Sequence, residues 1–251
     1  MPATTAPSNP LLEVQHLTKS YRAVTALSDV SFAVGRGEVV GLIGPNGAGK
    51  TTLFECLAGL LPRDSGVVTA EARPIAPGGS QLFYVPDGIA PWPAETVRWA
   101  LDYTIGFFGG SAADRTGVVR GLGLEAVLDR TIGTLSKGQR KRAVLAVGLL
   151  MPHPLLVIDE PFDGLDLRQT REVAAVLRAQ TSSHRTMLLS IHQIPDAARV
   201  CDRFILLSAG RVCGAGTLAE LTAQAAARAA LAGEQIDPGR ATLEEVFLAL
   251  T

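Results

Sequence analysis

No stretch of the sequence is long and apolar enough to cross a bilayer, although 47% of its residues are hydrophobic. The longest uncharged run, Ala143 to Ile158, is interrupted by Pro152-His153-Pro154 and falls short of the roughly 20 residues a spanning helix needs. Excess charge of either sign is missing too. A formal net charge of −1 leaves no basic footprint for nucleic acid. Cysteine is scarce. Cys56, Cys201 and Cys213 are odd in number and lack metal-ligand spacing, so they read as packed thiols in a reducing compartment. Met1 to Pro10 has neither a basic start nor an apolar segment and reads as a short disordered tail rather than a secretion signal. Internal repeats are absent. A length of 251 residues suits one α/β domain with a substantial core and room for an insertion.

What is present centres on Gly44-Pro45-Asn46-Gly47-Ala48-Gly49-Lys50-Thr51-Thr52. The spacing G-x-x-x-x-G-K-[ST] is that of a loop that cradles nucleotide phosphates. Glycines let the backbone curl until several N–H groups face one anion. Lys50 supplies a mobile charge for the β- and γ-phosphates, and the Thr51 hydroxyl is a ligand for Mg²⁺. The flanks agree. Val39 to Ile43 reads as a buried parallel strand, and Leu53, Leu57, Leu60 and Leu61 fall on one helical face until Pro62.

A second acidic site follows Leu155-Leu156-Val157-Ile158, a continuous apolar run that reads as a buried strand. It ends in Asp159-Glu160, at the edge where ligands bind in a parallel sheet. Asp159 is placed to hold Mg²⁺ and Glu160 to polarise an attacking water. Asp166 and Gln169 cap the next helix. Thr186 to Ser190 reads as another strand, with His192 just past its end, and Phe204 to Leu207 as a further one. Ser136 and Gln139 have capping-box spacing, so the helix they open presents a second set of free N–H groups. The run Arg140-Lys141-Arg142 behind them reads as a solvated face.

Short strands are expected at Leu11–Val14, Val30–Val34, Val67–Thr69 and Gln81–Val85. Tyr21, between the first two, suits either stacking on an adenine face or half-buried packing. From Asp87 to Gly133 the pattern turns helical, with Val97, Leu101, Ile105 and Phe108 in register. Trp92, Trp99 and Phe107 need not share that stripe; they read as the insertion's own core or as a docking patch for another protein.

In this order, the motifs resemble the nucleotide-binding subunit of an ABC transporter, from about Leu11 to Gly216. The resemblance implies a P-loop NTPase core, an α/β fold with a RecA-like, mostly parallel sheet and N-terminal antiparallel strands. An α-helical subdomain at about residues 88–140 is inserted in it, and residues 217–251 form a C-terminal helical extension. Gly44 to Thr51 corresponds to the Walker A loop, with Thr52 beside it. Leu155 to Glu160 corresponds to Walker B with the catalytic glutamate, and Tyr21 to the adenine-stacking aromatic. Leu135 to Gln139 corresponds to the signature, with Ser136, Gly138 and Gln139 facing nucleotide. Pro161 to Asp166 is similar to the D-loop, with Asp166 among the residues implied to face nucleotide, and Ser190-Ile191-His192 to the segment with the switch histidine. Where the family usually has a glutamine before the insertion, this chain has Asp87, a shorter metal ligand that adds negative charge. The implied cofactors are ATP and Mg²⁺.

The implied partners are a second nucleotide-binding subunit, identical or not, paired head to tail, and a separate membrane permease at the cytoplasmic face of the cell membrane. Thr242 to Leu250 is similar to the ending of type-2 exporter ATPases, with Leu243, Val246, Phe247 and Leu250 on one face of a capped helix. The function expected is ATP hydrolysis powering export. A soluble relative acting on ribosomes or DNA fits the near-neutral charge and the single nucleotide domain less well. A low-turnover, nucleotide-gated binding protein is the reading that Asp87 alone suggests.

Overall fold

The structure is a computed structural model that describes residues 10–75, 81–182, 185–232 and 241–251. The expected tail, apart from Pro10, lies outside them.

The chain opens with a long hairpin, β1 (Leu12–Tyr21) and β2 (Val24–Val34), and continues through β3 (Val39–Ile43), α1 (Lys50–Leu57), β4 (Ser65–Ala70), β5 (Arg73–Pro74) and β6 (Leu82–Val85). Two helices follow, α2 (Val97–Phe108) and α3 (Ala112–Gly121), then two single-turn 3₁₀ segments and α4 (Lys137–Leu150). Next come β7 (Leu155–Asp159), α5 (Leu167–Gln180), β8 (Thr186–Ile191), α6 (Ile194–Val200), β9 (Arg203–Ser208) and β10 (Arg211–Gly216). The chain closes with α7 (Leu218–Ala232) and α8 (Leu243–Leu250).

Two sheets result. The larger has the order β10-β9-β3-β8-β7-β6, parallel except for the β9–β10 hairpin, and the smaller is antiparallel in the order β2-β1-β4-β5. In β3 and β7 every residue is buried, yet the period of two still operates. Val40, Leu42, Leu155 and Val157 face a core around α1 shared with the smaller sheet. Val39, Ile43, Leu156 and Ile158 face the core built with the remaining helices. Burial on both faces is why these strands read as unbroken apolar runs.

Several expectations are corrected. The hairpin strands extend well beyond Leu11–Val14 and Val30–Val34, because register shifts between Val14 and Ser20 break the alternation that marks a strand in sequence. Helix α1 stops at Leu57, and Gly59 turns the chain at φ +70°, leaving Leu60 69% exposed rather than on the buried face. The Thr96 hydroxyl caps α2 by accepting from the Trp99 amide at 3.1 Å. Val97, Ala100, Leu101 and Thr104 are its buried residues, while Ile105 is half-buried and Phe108 exposed. At the C-terminus Thr242 and Glu245 form the expected capping box. Leu243, Val246 and Leu250 are buried and Phe247 packs partly against the same core.

Candidate active site

The loop 44–49 leaves β3 at the sheet's C-terminal edge and enters α1. Gly49 lies at φ +104°, and a Cβ there would come within 2.7 Å of the Ala26 carbonyl oxygen. Gly47, at φ +82°, has open space around it. The amide of Gly210 donates to the Ala48 carbonyl at 3.0 Å, tying the loop to the β9–β10 turn. No acidic side chain of α1 itself stands in its first turn, so the helix supplies no carboxylate of its own to its free N–H groups and positive dipole end. Lys50 is buried, and its Nζ donates to the carbonyls of Gly44 at 2.8 Å and Pro45 at 3.3 Å.

Asp159, at the end of β7, is 2% exposed. Its Oδ2 accepts from Thr51 Oγ1 at 2.9 Å and from the Tyr84 hydroxyl at 3.4 Å, and its Oδ1 accepts from Ser190 Oγ. Burial, then the Asp159 charge, pushes the Tyr84 phenol far above its ordinary range, so it stays a neutral donor. Glu160 follows at φ +48°, an uncommon conformation for a side-chain-bearing residue. Its Oε2 is 2.6 Å from His192 Nδ1, and its Oε1 is 3.8 Å from Lys50 Nζ. Ser190 Oγ also accepts from the Glu160 amide at 2.9 Å, so one hydroxyl from β8 braces both carboxylate residues. The β3, β7 and β8 ends thus bring Lys50, Thr51, Asp159, Glu160 and His192 together.

The other expected residues lie elsewhere. Ser136 and Gln139 complete a capping box on α4, Ser136 Oγ accepting from the Gln139 amide at 3.3 Å. Gln139 Oε1 accepts from the Ser136 amide at 3.1 Å and from Arg130 Nη1 at 3.3 Å. Gly138 packs against the turn at Gly164, where a Cβ would sit 3.1 Å from that carbonyl oxygen. Among the described residues, none of these partners belongs to the loop 44–52. Asp166 Oδ1 accepts from the Gln169 amide at 2.8 Å and caps α5. Tyr21 ends β1 opposite Val24 and is 44% exposed. Asp87, expected as a metal ligand, is paired with Lys141. Lys141 is itself a correction: read as part of a solvated face, it is 8% exposed.

Sequence reasoning missed the roles of Ser190, Tyr84 and Lys141. Ser190 had a signal, since it ends a buried strand two residues before His192. Tyr84 and Lys141 meet their partners only through the fold.

A glycine loop between a buried parallel strand and a helix, carrying Lys50 and Thr51 and facing Asp159, defines a P-loop nucleoside triphosphatase. The family model described as "ABC transporter" matches residues 27–163. The Nod factor export ATP-binding protein I of Bradyrhizobium diazoefficiens is 36% identical over 212 residues, spanning 81% of this chain and 69% of that protein. The SkfA peptide export ATP-binding protein SkfE of Bacillus subtilis is 33% identical over 210 residues, 80% of this chain and 87% of its own length. A solved ATP-binding subunit of an ABC transporter superposes with a TM-score of 0.82 at 32% identity, covering 96% of this chain and 99% of that one. The chain belongs to the ABC transporter family, as an ATP-binding subunit that hydrolyses ATP to drive transport.

Proposed function

We propose that the chain is the ATPase of an exporter, working with Mg²⁺ as a head-to-tail pair of nucleotide-binding subunits beneath a separate membrane permease. The observation that carries the hydrolytic role is the Glu160 carboxylate, held between His192 Nδ1 at 2.6 Å and Lys50 Nζ at 3.8 Å. Export, rather than uptake, is supported by the relatives named for Nod factor and peptide export. The cargo belongs to the permease.

Thr51 and Asp159 fit a magnesium site, because they offer oxygen only and meet at 2.9 Å at the start of α1. No group of three or more His, Cys, Asp or Glu among the described residues could cage a metal. That suits Mg²⁺, which is commonly held by one or two protein oxygens together with phosphate. When bound, it neutralises charge developing on the phosphates. Lys50 exchanges its loop carbonyls for phosphate oxygens. Glu160 orients the attacking water and accepts its proton, while His192 fixes the rotation of that carboxylate. Tyr21 stacks on the adenine.

Pairing is supported by α4. Its first turn, like that of α1, carries no acidic side chain, yet Ser136 and Gly138 have partners away from their own phosphate loop. A second chain supplies the nucleotide they face. The permease contact is supported by an apolar groove of about 300 Å³ whose lining includes Phe83, Pro91, Trp92, Tyr103 and Phe108. No described helix is long and apolar enough to cross a membrane. Attachment at the cytoplasmic face through the permease is part of the proposal.

The test is Glu160→Gln. ATP affinity should stay within about twofold while hydrolysis slows by at least roughly a hundredfold, and the ATP-bound form should accumulate as a dimer in size-exclusion chromatography. Turnover near that of the wild type would remove Glu160 from the proton-transfer step.

A further inference from the structure

Asp87 lies just past β6, and Lys141 lies on α4, separated by 54 positions in sequence. The Lys141 ammonium has two acceptors, Oδ1 of Asp87 and the Glu160 carbonyl oxygen, the latter at 2.9 Å. A buried ammonium is tolerated only when a countercharge and further hydrogen bonds replace its water. Here both are present.

The second acceptor connects this pair to catalysis. Glu160 holds its carboxylate from a left-handed backbone at φ +48°. Such a conformation persists only where the surroundings enforce it. On one side, the Glu160 amide donates to Ser190 Oγ at 2.9 Å. On the other, its carbonyl accepts from Lys141 Nζ and from the Asp163 amide at 3.2 Å. The Ser190 and Asp163 contacts come from the sheet edge and the adjoining turn. Lys141 is the side chain that reaches this peptide from a helix.

We propose that Lys141 is a positioning residue for ATP hydrolysis. Its ammonium holds the Glu160 peptide in the conformation that points the carboxylate toward Lys50 and His192, and Asp87 supplies the countercharge that keeps the ammonium in place. Asp87 then serves hydrolysis through Lys141 and not as a metal ligand. The aspartate and the lysine form one unit: an amide at position 87 would leave a buried cation without its countercharge. The proposal rests on Glu160 being the water-polarising group.

Lys141→Met tests it, because it keeps the apolar stem and removes the charge and the donor. Backbone misplacement at a catalytic carboxylate is costly, so kcat should fall at least roughly tenfold. Affinity for a fluorescent ATP analogue should change by less than about twofold, since Lys50 and its loop are untouched. Lys141→Arg, which keeps charge and donors, should recover most of the rate. The decisive comparison is made in the Glu160→Gln background, where Lys141→Met should lower the remaining rate by less than about twofold, because residues acting as a unit are not additive. Asp87→Asn should lower both kcat and the thermal midpoint, and adding Lys141→Met to it should restore the midpoint but not kcat.

A wild-type kcat in Lys141→Met overturns the proposal. So does an equal loss in both backgrounds, which would make Lys141 a stability residue only. Should Lys141→Met not fold, Asp87→Asn compared in the same two backgrounds decides the matter by the same criterion. If Glu160→Gln alone retains turnover, it is the assignment of Glu160 that fails, a result separable from a silent Lys141→Met.

Discussion

Lys137 Nζ lies 2.7 Å from Oδ2 of Asp163, tying the first residue of α4 to the turn that follows β7 within one chain. The Lys137 hydrogen bond, opposed by partial burial, holds the Asp163 carboxyl below its ordinary value of 3.8. A carboxyl lowered in the folded state contributes stability above its unfolded value and loses it as pH falls through the folded one. Both side chains are partly open to solvent, at 62% and 34%, so the contribution is small. Lys137→Met should therefore shift the denaturation midpoint slightly at neutral pH. The gap to wild type should close as the pH drops below 3.8 and protonates Asp163. A gap that stays constant into strong acid would assign the effect to the packing of the lysine stem.

Two of the three glycines of the phosphate loop, Gly47 and Gly49, make a graded prediction. At Gly47, where φ is +82° and nothing lies within 4 Å, alanine adds left-handed strain alone, about 1–2 kcal/mol. At Gly49, alanine adds the same strain at φ +104° and drives a Cβ to 2.7 Å from the Ala26 carbonyl oxygen, an overpacking cost of about 1–3 kcal/mol more. Chemical denaturation should therefore rank Gly49→Ala well below Gly47→Ala in stability. Equal losses would mean that β2 yields at Ala26 to admit the methyl group.

What the sequence disclosed and what it concealed divide along physical lines. The runs Val39–Ile43 and Leu155–Ile158 were legible because burial on both faces leaves no polar position in them. That the loop 44–52, the Asp159–Glu160 pair and His192 would be neighbours was legible because each follows the end of a buried strand. Two of the three thiols read as packed are so: burial raises the pKa of Cys56 to about 11 and that of Cys201 further. The hairpin was cut short because bulges between Val14 and Ser20 erase its alternation. Leu60 continued a helical spacing past the point where Gly59 ends the helix. Lys141 was hidden most completely. Between Arg140 and Arg142 it looks like any solvated cation, and the carboxylate that lets it be buried is contributed by a distant turn.

The aromatic residues of α2 give the last prediction. Trp99 stacks on Tyr103 with centroids 5.1 Å apart and planes 9° from parallel, and Tyr103 stacks on Phe107 at 5.8 Å and 15°. Trp92 meets both Trp99 and Tyr103 edge-on. An internal core would hide these rings, yet Trp92 is 37% exposed, Trp99 40% and Phe107 69%. The buried side of the same helix is formed by Val97, Ala100, Leu101 and Thr104, so the rings face outward together. An ordered ladder of this kind has already lost much of its rotamer freedom, which lowers the cost of binding a partner. In the lone chain both tryptophans should be quenched by acrylamide, and assembly with the permease should protect them. Trp99→Ala should weaken that assembly by about 2 kcal/mol or more. Basal ATP hydrolysis should not change, since Trp99 contacts none of Lys50, Asp159, Glu160 or His192 in the hydrogen-bond and ring networks described. Tryptophans that resist quenching in the free chain, or an assembly indifferent to Trp99→Ala, would move the permease contact off this face.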